Sequence, residues 1–444
     1  MTEYFKNRQK PASEIPDSEI EETFKAINDY FTAEWLASGD EHPVQILWKR
    51  KDHLASKELY ILGKAIIIMS CINDSWVREN INNIKNNDIN NIAGTTFEFV
   101  GLSYLYSDNQ TPNPKPANYP SIDATLSFSN NVNINLSLKN YSKSSHERSF
   151  IQISQQFEKT LVDYCKKNKG YKTLAVYIDF FHHFPTESDW DLLFGSFIDV
   201  LDKYDNNNRV FGIKDLCMIA IRNLDEDESH YFDKEFSYTV TVSSVYHKNE
   251  IKNLWSKLDD ACGNLKKYAP VPDENNVNFV YIRIPNNIDF DVCLEWAKLY
   301  FEQFSSKEIH GIIFYQPSIV TNIENDTTSL QHAFTLYLTD EYTQWNKDKN
   351  IRIETKIPVG IGTNKSSKWM LNINDKTIDF GQRYVHQSGH HYIKSQKDSN
   401  GSFTGFITKK APGVFTHAVF EMIPGHPEMI LSGHFSPDDR LLIL

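Results

Sequence analysis

Two neighbouring stretches of the chain alternate strictly. In residues 121–128, Ile122, Ala124, Leu126 and Phe128 alternate with Ser121, Asp123, Thr125 and Ser127. In residues 132–139, Val132, Ile134, Leu136 and Leu138 alternate with Asn133, Asn135, Ser137 and Lys139. A period of two predicts strands, each with one apolar and one polar face. Ser129, Asn130 and Asn131 between them are turn residues. A hairpin closed over those three sets Phe128 opposite Val132, Leu126 opposite Ile134, Ala124 opposite Leu136 and Ile122 opposite Leu138. A slip of one residue would turn every apolar side chain to the wrong face. The same register sets Asp123 opposite Ser137, with Lys139 its diagonal neighbour at a Cβ separation of about 7–8 Å or a little less.

Helical spacing surrounds this hairpin. Ile20, Phe24, Ile27 and Phe31 predict an amphipathic helix over 17–38, capped by Asp17 after Pro16. A second helix is expected over 57–85, running into the polar stretch 82–91, and a short third over 94–106. A loop with Pro112, Pro114, Pro116 and Pro120 leads into the hairpin, and a helix over 150–167 and a strand over 173–180 follow it. The local order is therefore α–β–β–α–β. Strands over 210–222, 236–246, 279–284 and 309–315, with helices over 248–267 and 290–304, suggest a further α/β unit. From about 331 the helical signal gives way to strands over 333–338, 351–357, 368–373, 405–408, 414–422 and 429–435, punctuated by Gly and Pro.

At 444 residues the chain is too long for one core. Its 40% hydrophobic and 13% aromatic content excludes wholesale disorder. A net charge of −12 excludes a general nucleic-acid coat, so any such contact must be local. Residues 137–175 supply a candidate, with eight Lys or Arg against three Asp or Glu, a net +5. The five cysteines are scattered with no CxxC, which argues against a disulfide framework or zinc ribbon. Residues 1–10 lack an apolar signal core, and the longest apolar stretch, 65–69, is too short for a bilayer. A cytoplasmic protein without a membrane partner is expected.

An acid and a base projecting from one polar sheet face suit phosphodiester hydrolysis. A carboxylate holds Mg²⁺ through oxygen, the cation polarises the phosphate and acidifies water, and lysine orients the attacking water or stabilises developing charge. Gly94-Thr95-Thr96-Phe97-Glu98 on a helix, Pro120-Ser121-Ile122-Asp123 on one strand and Ser137-Leu138-Lys139 on the next resemble the PD-(D/E)xK, or restriction-endonuclease-like, nucleases. The resemblance covers about a fifth of the chain. It implies a mixed sheet flanked by helices and metal-dependent cleavage of DNA. Glu98, Asp123 and Lys139 would be catalytic, with Glu98, Asp123 and the Leu138 carbonyl at Mg²⁺ or Mn²⁺. Ser137 stands where the family has an acid, and Pro120 does not directly precede Asp123. Family habit points to restriction or anti-phage defence, with a defence-system protein as partner, and a homodimer suits an enzyme that cuts both strands.

On this reading the chain divides into a helical region at 1–85, a nuclease-like domain at 86–225, a second α/β unit at 226–330 and a β-rich module at 331–444. Lys143, Arg148 and Lys159 are candidate phosphate contacts. Ser137 keeps open a binding or scaffolding role on a degenerate nuclease core, and RNA remains open as the substrate. Gln155 and Gln156 read as surface residues of the helix after the lysine strand. His386, His390 and His391 have a spacing that would bind zinc only on a helix, and His182-His183 carries less signal still. Gly360-Ile361-Gly362-Thr363 lacks the GK[ST] of a phosphate loop and reads as a turn.

Overall fold

The computed structural model describes residues 8–366 except 40, 87–88, 117–120, 168–172, 204–208, 214, 224–236, 286–287, 305–307 and 323–326; beyond these it describes 370–373, 376–379, 382–389 and the short strands at 396–397, 403–404, 406–407, 416–417 and 431–434. The fold is mixed α/β, with two main sheets.

The chain opens with helices α1 (Asp17–Phe31), α2 (Ala33–Ser38), α3 (Pro43–Lys49), α4 (His53–Asn86) and α5 (Ile89–Tyr104). The helix expected over 17–38 is broken at Thr32, whose φ of 65° leaves the helical region and whose hydroxyl accepts from Trp35 N–H to begin α2. Pro16, not Asp17, is the N-cap of α1.

Next come β1 (Gln110–Pro114), β2 (Ala124–Phe128) and β3 (Asn133–Asn140). The hairpin has the register read from its pattern, with Leu126 opposite Ile134 and Ala124 opposite Leu136. Asn131 closes the turn at φ 65°, a conformation asparagine tolerates. Part of the proline-rich loop is a strand: β1 runs antiparallel to β2, with Gln110, Pro112 and Pro114 turned inward. Proline lacks an N–H, so an edge strand is where it is tolerated.

Beyond β3 lie α6 (Ser145–Lys167), β4 (Thr173–Phe180), α7 (Glu187–Asp202), β5 (Arg209–Ile213), β6 (Cys217–Asn223), β7 (Ser237–Val245) and α8 (Glu250–Tyr268). They are followed by β8 (Asn276–Arg283), α9 (Phe290–Phe304), β9 (Gly311–Asn322), β10 (Thr327–Leu338), α10 (Asp340–Asn346), β11 (Ile361–Thr363), β12 (Met370–Ile373), β13 (Lys376–Asp379) and β14 (Arg383–Gly389).

The elements follow the expected order along the chain, but their pairing divides them between two sheets. β3 pairs in parallel with β8, not with the strand 173–180 that follows it. The first sheet runs β1-β2-β3-β8-β9, with β10 antiparallel to β9. β4 belongs to the second sheet, in the order β14-β7-β4-β6-β5. The unit from α6 to β7 is thus inserted between the lysine strand and its parallel neighbour, and α8 packs on β3. With the insertion set aside, α5, β2, β3, α8 and β8 still read α–β–β–α–β. β10 contains the strand expected over 333–338, but α10 departs from the strand-only pattern expected after 331, and residues 351–357 form no strand.

The first sheet lies between two helical layers. Leu126, Ile134, Leu136, Leu138, Phe279 and Tyr281 face a core built with α1, α4 and α5. Val280, Ile282, Ile312 and Phe314 face α8 and α9. The polar face of the hairpin is covered as well. Asn135 and Asn278 are each 1% exposed, and the Asn135 amide donates to Asn278 Oδ1 at 2.9 Å. Buried amides must find partners, and these find each other across the parallel pair.

Candidate active site

The ladder between β2 and β3 ends at Ala124 and Leu136, and the candidate chemistry begins one residue beyond it. Asp123 Oδ2 accepts the Leu138 backbone N–H at 2.7 Å and the Ser137 hydroxyl at 3.2 Å. Asp123 and Ser137 therefore meet as the register requires. In an extended strand the N–H and C=O of one residue point to the same edge. The Leu138 carbonyl accordingly faces the side where the β2 ladder has stopped. Ser137 is buried and serves as a donor to Asp123.

Glu98 comes to the same place from α5. That helix lies close against β8 because Gly101 has no side chain: a Cβ there would come within 3.2 Å of the Tyr281 ring and 2.9 Å of the Phe97 ring. The Glu98 carboxyl is pushed up to about 7, first by burial and next by the negative charge of Asp123; Lys139 and Lys115 oppose the shift. Asp123, Lys139 and Lys115 thus all act on the Glu98 carboxyl. No ion pair joins Asp123 to Lys139 among the described residues.

Lys115 carries no signal in the sequence beyond its place among prolines. Its φ of 44° turns the chain back after β1, and its N–H donates to the Asp123 carbonyl at 3.1 Å. Its ammonium donates to Glu79 Oε1 of α4 at 2.8 Å. The loop therefore delivers both a backbone brace and a charge to the Asp123 end. Pro120 lies outside the described residues.

Glu98, Asp123 and the Leu138 carbonyl carry hard oxygens of the kind that could hold Mg²⁺. Among the described residues no group of three or more His, Cys, Asp or Glu converges as a metal site.

Lys143, Arg148 and Lys159 are all exposed. Lys143 lies in the link from β3 to α6, and Arg148 Nη1 donates to its carbonyl at 2.7 Å. Lys159, Gln155 and Gln156 are on the exposed side of α6, in the inserted unit. No described contact joins those glutamines to the Lys139 end.

The other candidates have structural uses. His386 is buried on β14, with its Nε2 3.0 Å from Glu158 Oε2 of α6, an ion pair when protonated. His390 and His391 lie outside the described residues. His183 pairs with Asp189 at the start of α7, at 3.0 Å. Gly360, at φ 112°, leads into β11, and a Cβ there would meet the Leu330 carbonyl at 2.6 Å. No helix among the described residues is long and apolar enough to cross a membrane.

No protein-family model, curated protein or solved structure matches this chain.

Proposed function

We propose that the chain is a metal-dependent nuclease of the PD-(D/E)xK type that hydrolyses DNA phosphodiester bonds. The observation that carries this reading is the placement of Glu98, Asp123 and Lys139 near one sheet end, where the Glu98 carboxyl is raised first by burial and next by the charge of Asp123, with Lys139 opposing. Two carboxylates held this close are costly unless a proton or a cation sits between them. Glu98, Asp123 and the Leu138 carbonyl are the groups that would hold Mg²⁺ or Mn²⁺. Bound there, the cation supplies Lewis-acid polarisation of the phosphate and a more acidic water.

The protein's own groups do the rest. The Leu138 N–H and Ser137 hydroxyl fix Asp123 in one orientation. Lys139 donates to the attacking water or to a non-bridging phosphate oxygen. Lys115 adds positive charge beside the same centre. Lys143, Arg148 and Lys159 offer an exposed series of cations for the phosphate backbone, beginning four residues after Lys139. A role in restriction or anti-phage defence, with a partner protein or a second copy of the chain, accords with this chemistry.

One observation favours a second reading, a binding role on a degenerate core. Ser137 contributes a hydroxyl that donates to Asp123 where a third carboxylate would bind metal.

Cleavage of plasmid, single-stranded DNA and RNA with Mg²⁺ or Mn²⁺ tests the proposal. Cleavage of DNA by wild type that is lost in Asp123→Asn and Lys139→Ala at equal folded concentration supports it. Cleavage confined to RNA would change the substrate. Cleavage that survives both substitutions would place the chemistry elsewhere. Binding of DNA without cleavage or metal-linked stabilisation would favour the degenerate core.

A further inference from the structure

The inserted unit leaves the first sheet two residues after Lys139 and returns at α8, so two short covalent joints connect it to the core. A third, noncovalent link runs between them. Glu250, in the first turn of α8, is 2% exposed. Its Oε1 accepts the Tyr141 hydroxyl at 2.7 Å, and its Oε2 accepts the Tyr384 hydroxyl. Tyr141 extends β3, with its N–H donating to the Arg283 carbonyl of β8 at 2.8 Å. Tyr384 belongs to β14 of the second sheet and packs against Phe150, Phe184 and Tyr246. One carboxylate thus holds a phenol from the lysine strand and a phenol from the inserted unit's sheet.

A buried carboxylate costs several kcal/mol of desolvation, and apolar replacements of such groups are often as stable. Helix-terminal charge alone does not call for this placement, because an exposed acid in the first turn meets the dipole equally well. What the buried position adds is a single geometry for two phenols from different sheets. Burial and the charge of Glu250 push both phenols well above the ordinary tyrosine range, so both remain donors to it.

We propose that Glu250 is a positioning residue that ties the inserted unit to the C-terminal end of β3, so that the attitude of the insertion sets the placement of Lys139. The functional half of this inference rests on the nuclease reading; the mechanical half does not.

The test combines amide hydrogen exchange with cleavage kinetics on the full chain. Tyr384→Phe deletes one hydroxyl and keeps the ring, and Glu250→Gln keeps the shape of the acid. Tyr164→Phe is the control, since it deletes a hydroxyl donated to Asp202 within the insertion. Tyr384→Phe and Glu250→Gln are expected to speed exchange about tenfold or more at residues 138–145 and 246–250, while Tyr164→Phe leaves those segments unchanged. In the same two variants kcat for DNA should fall more than KM rises, because placement of Lys139 and not substrate affinity is disturbed. Unchanged exchange at both segments, or a change confined to the insertion, would overturn the link. Faster exchange with unaltered kcat would overturn the positioning role. A wild type that cleaves nothing removes the nuclease reading, and the exchange result then decides the link alone.

Discussion

Each of the two sheets carries a half-buried or buried aspartate near a strand end, and the two are treated differently. On β4, Asp179 is 6% exposed and closed into a network: Arg383 Nη1 of β14 donates to its Oδ1, as does the Ser243 hydroxyl of β7 at 2.7 Å. Burial raises its carboxyl, and Arg383 and Ser243 pull it back. At the first sheet, among the described residues, Asp123 accepts a backbone N–H and a hydroxyl and makes no bond to Glu98, the acid it acts on. A full charge opposes Asp179 at bonding distance. Asp123 instead adds to the burial that raises the Glu98 carboxyl, and among the described residues it forms no ion pair with Lys139. The first arrangement is what a fold needs from a buried charge, and the second accords with the reaction centre proposed above.

The contrast is sharpest under substitution. Asp123→Asn and Lys139→Ala are expected to lower metal-dependent DNA cleavage by roughly a thousandfold or more, with stability changed by about 1 kcal/mol or less. Initial rates and denaturant melts of the same preparations check both halves. At the second sheet the roles reverse. Arg383→Met leaves Asp179 buried and uncompensated and should destabilise by about 3–5 kcal/mol. Adding Asp179→Asn should restore part of that loss in a double-mutant cycle. Should Arg383→Met melt like wild type, the contrast between the two aspartates fails.

Smaller effects follow from Glu98. Its folded-state carboxyl stands near 7 against an ordinary 4.5, so the folded protein holds the proton more tightly than the unfolded chain. Stability is therefore lost as pH rises from about 4.5 through 7, and the penalty is complete above that. Glu98→Gln should raise stability at pH 8 by about 1–3 kcal/mol, and the gain should vanish near pH 4. Paired melts across that range measure it. For the same reason Mg²⁺ should raise the wild-type Tm more at pH 8 than at pH 6, since the proton and the cation compete for one carboxyl pair. A pH-independent Mg²⁺ shift would count against Glu98 as a ligand.

The sequence made the hairpin legible because its information is local. A three-residue turn and two strictly alternating strands admit one register, and Asp123 meets Ser137 accordingly. Strand partnership was not legible. Thr173–Phe180 and Asn276–Arg283 are both apolar strands that follow a helix. Either would satisfy the open edge of β3, and no nearby residue distinguishes them. The more distant of the two is the partner. Lys115 was hidden for a related reason: its role depends on a backbone reversal at one residue, which a proline-rich segment does not announce.

That distant partnership has a consequence for how the chain is made. Asn135 and Asn278, which bond across β3 and β8, are 143 positions apart. At a synthesis rate of about 5–20 residues per second, β3 waits roughly 7–30 seconds on the ribosome before β8 emerges. During that interval β3 lacks the parallel strand that covers its outer edge in the folded protein. The insertion lengthens that wait, and it also occupies it, since β4 to β7 emerge first and can pair with one another. A nascent chain arranged this way leaves the Lys139 strand without its parallel neighbour until most of its length has been translated.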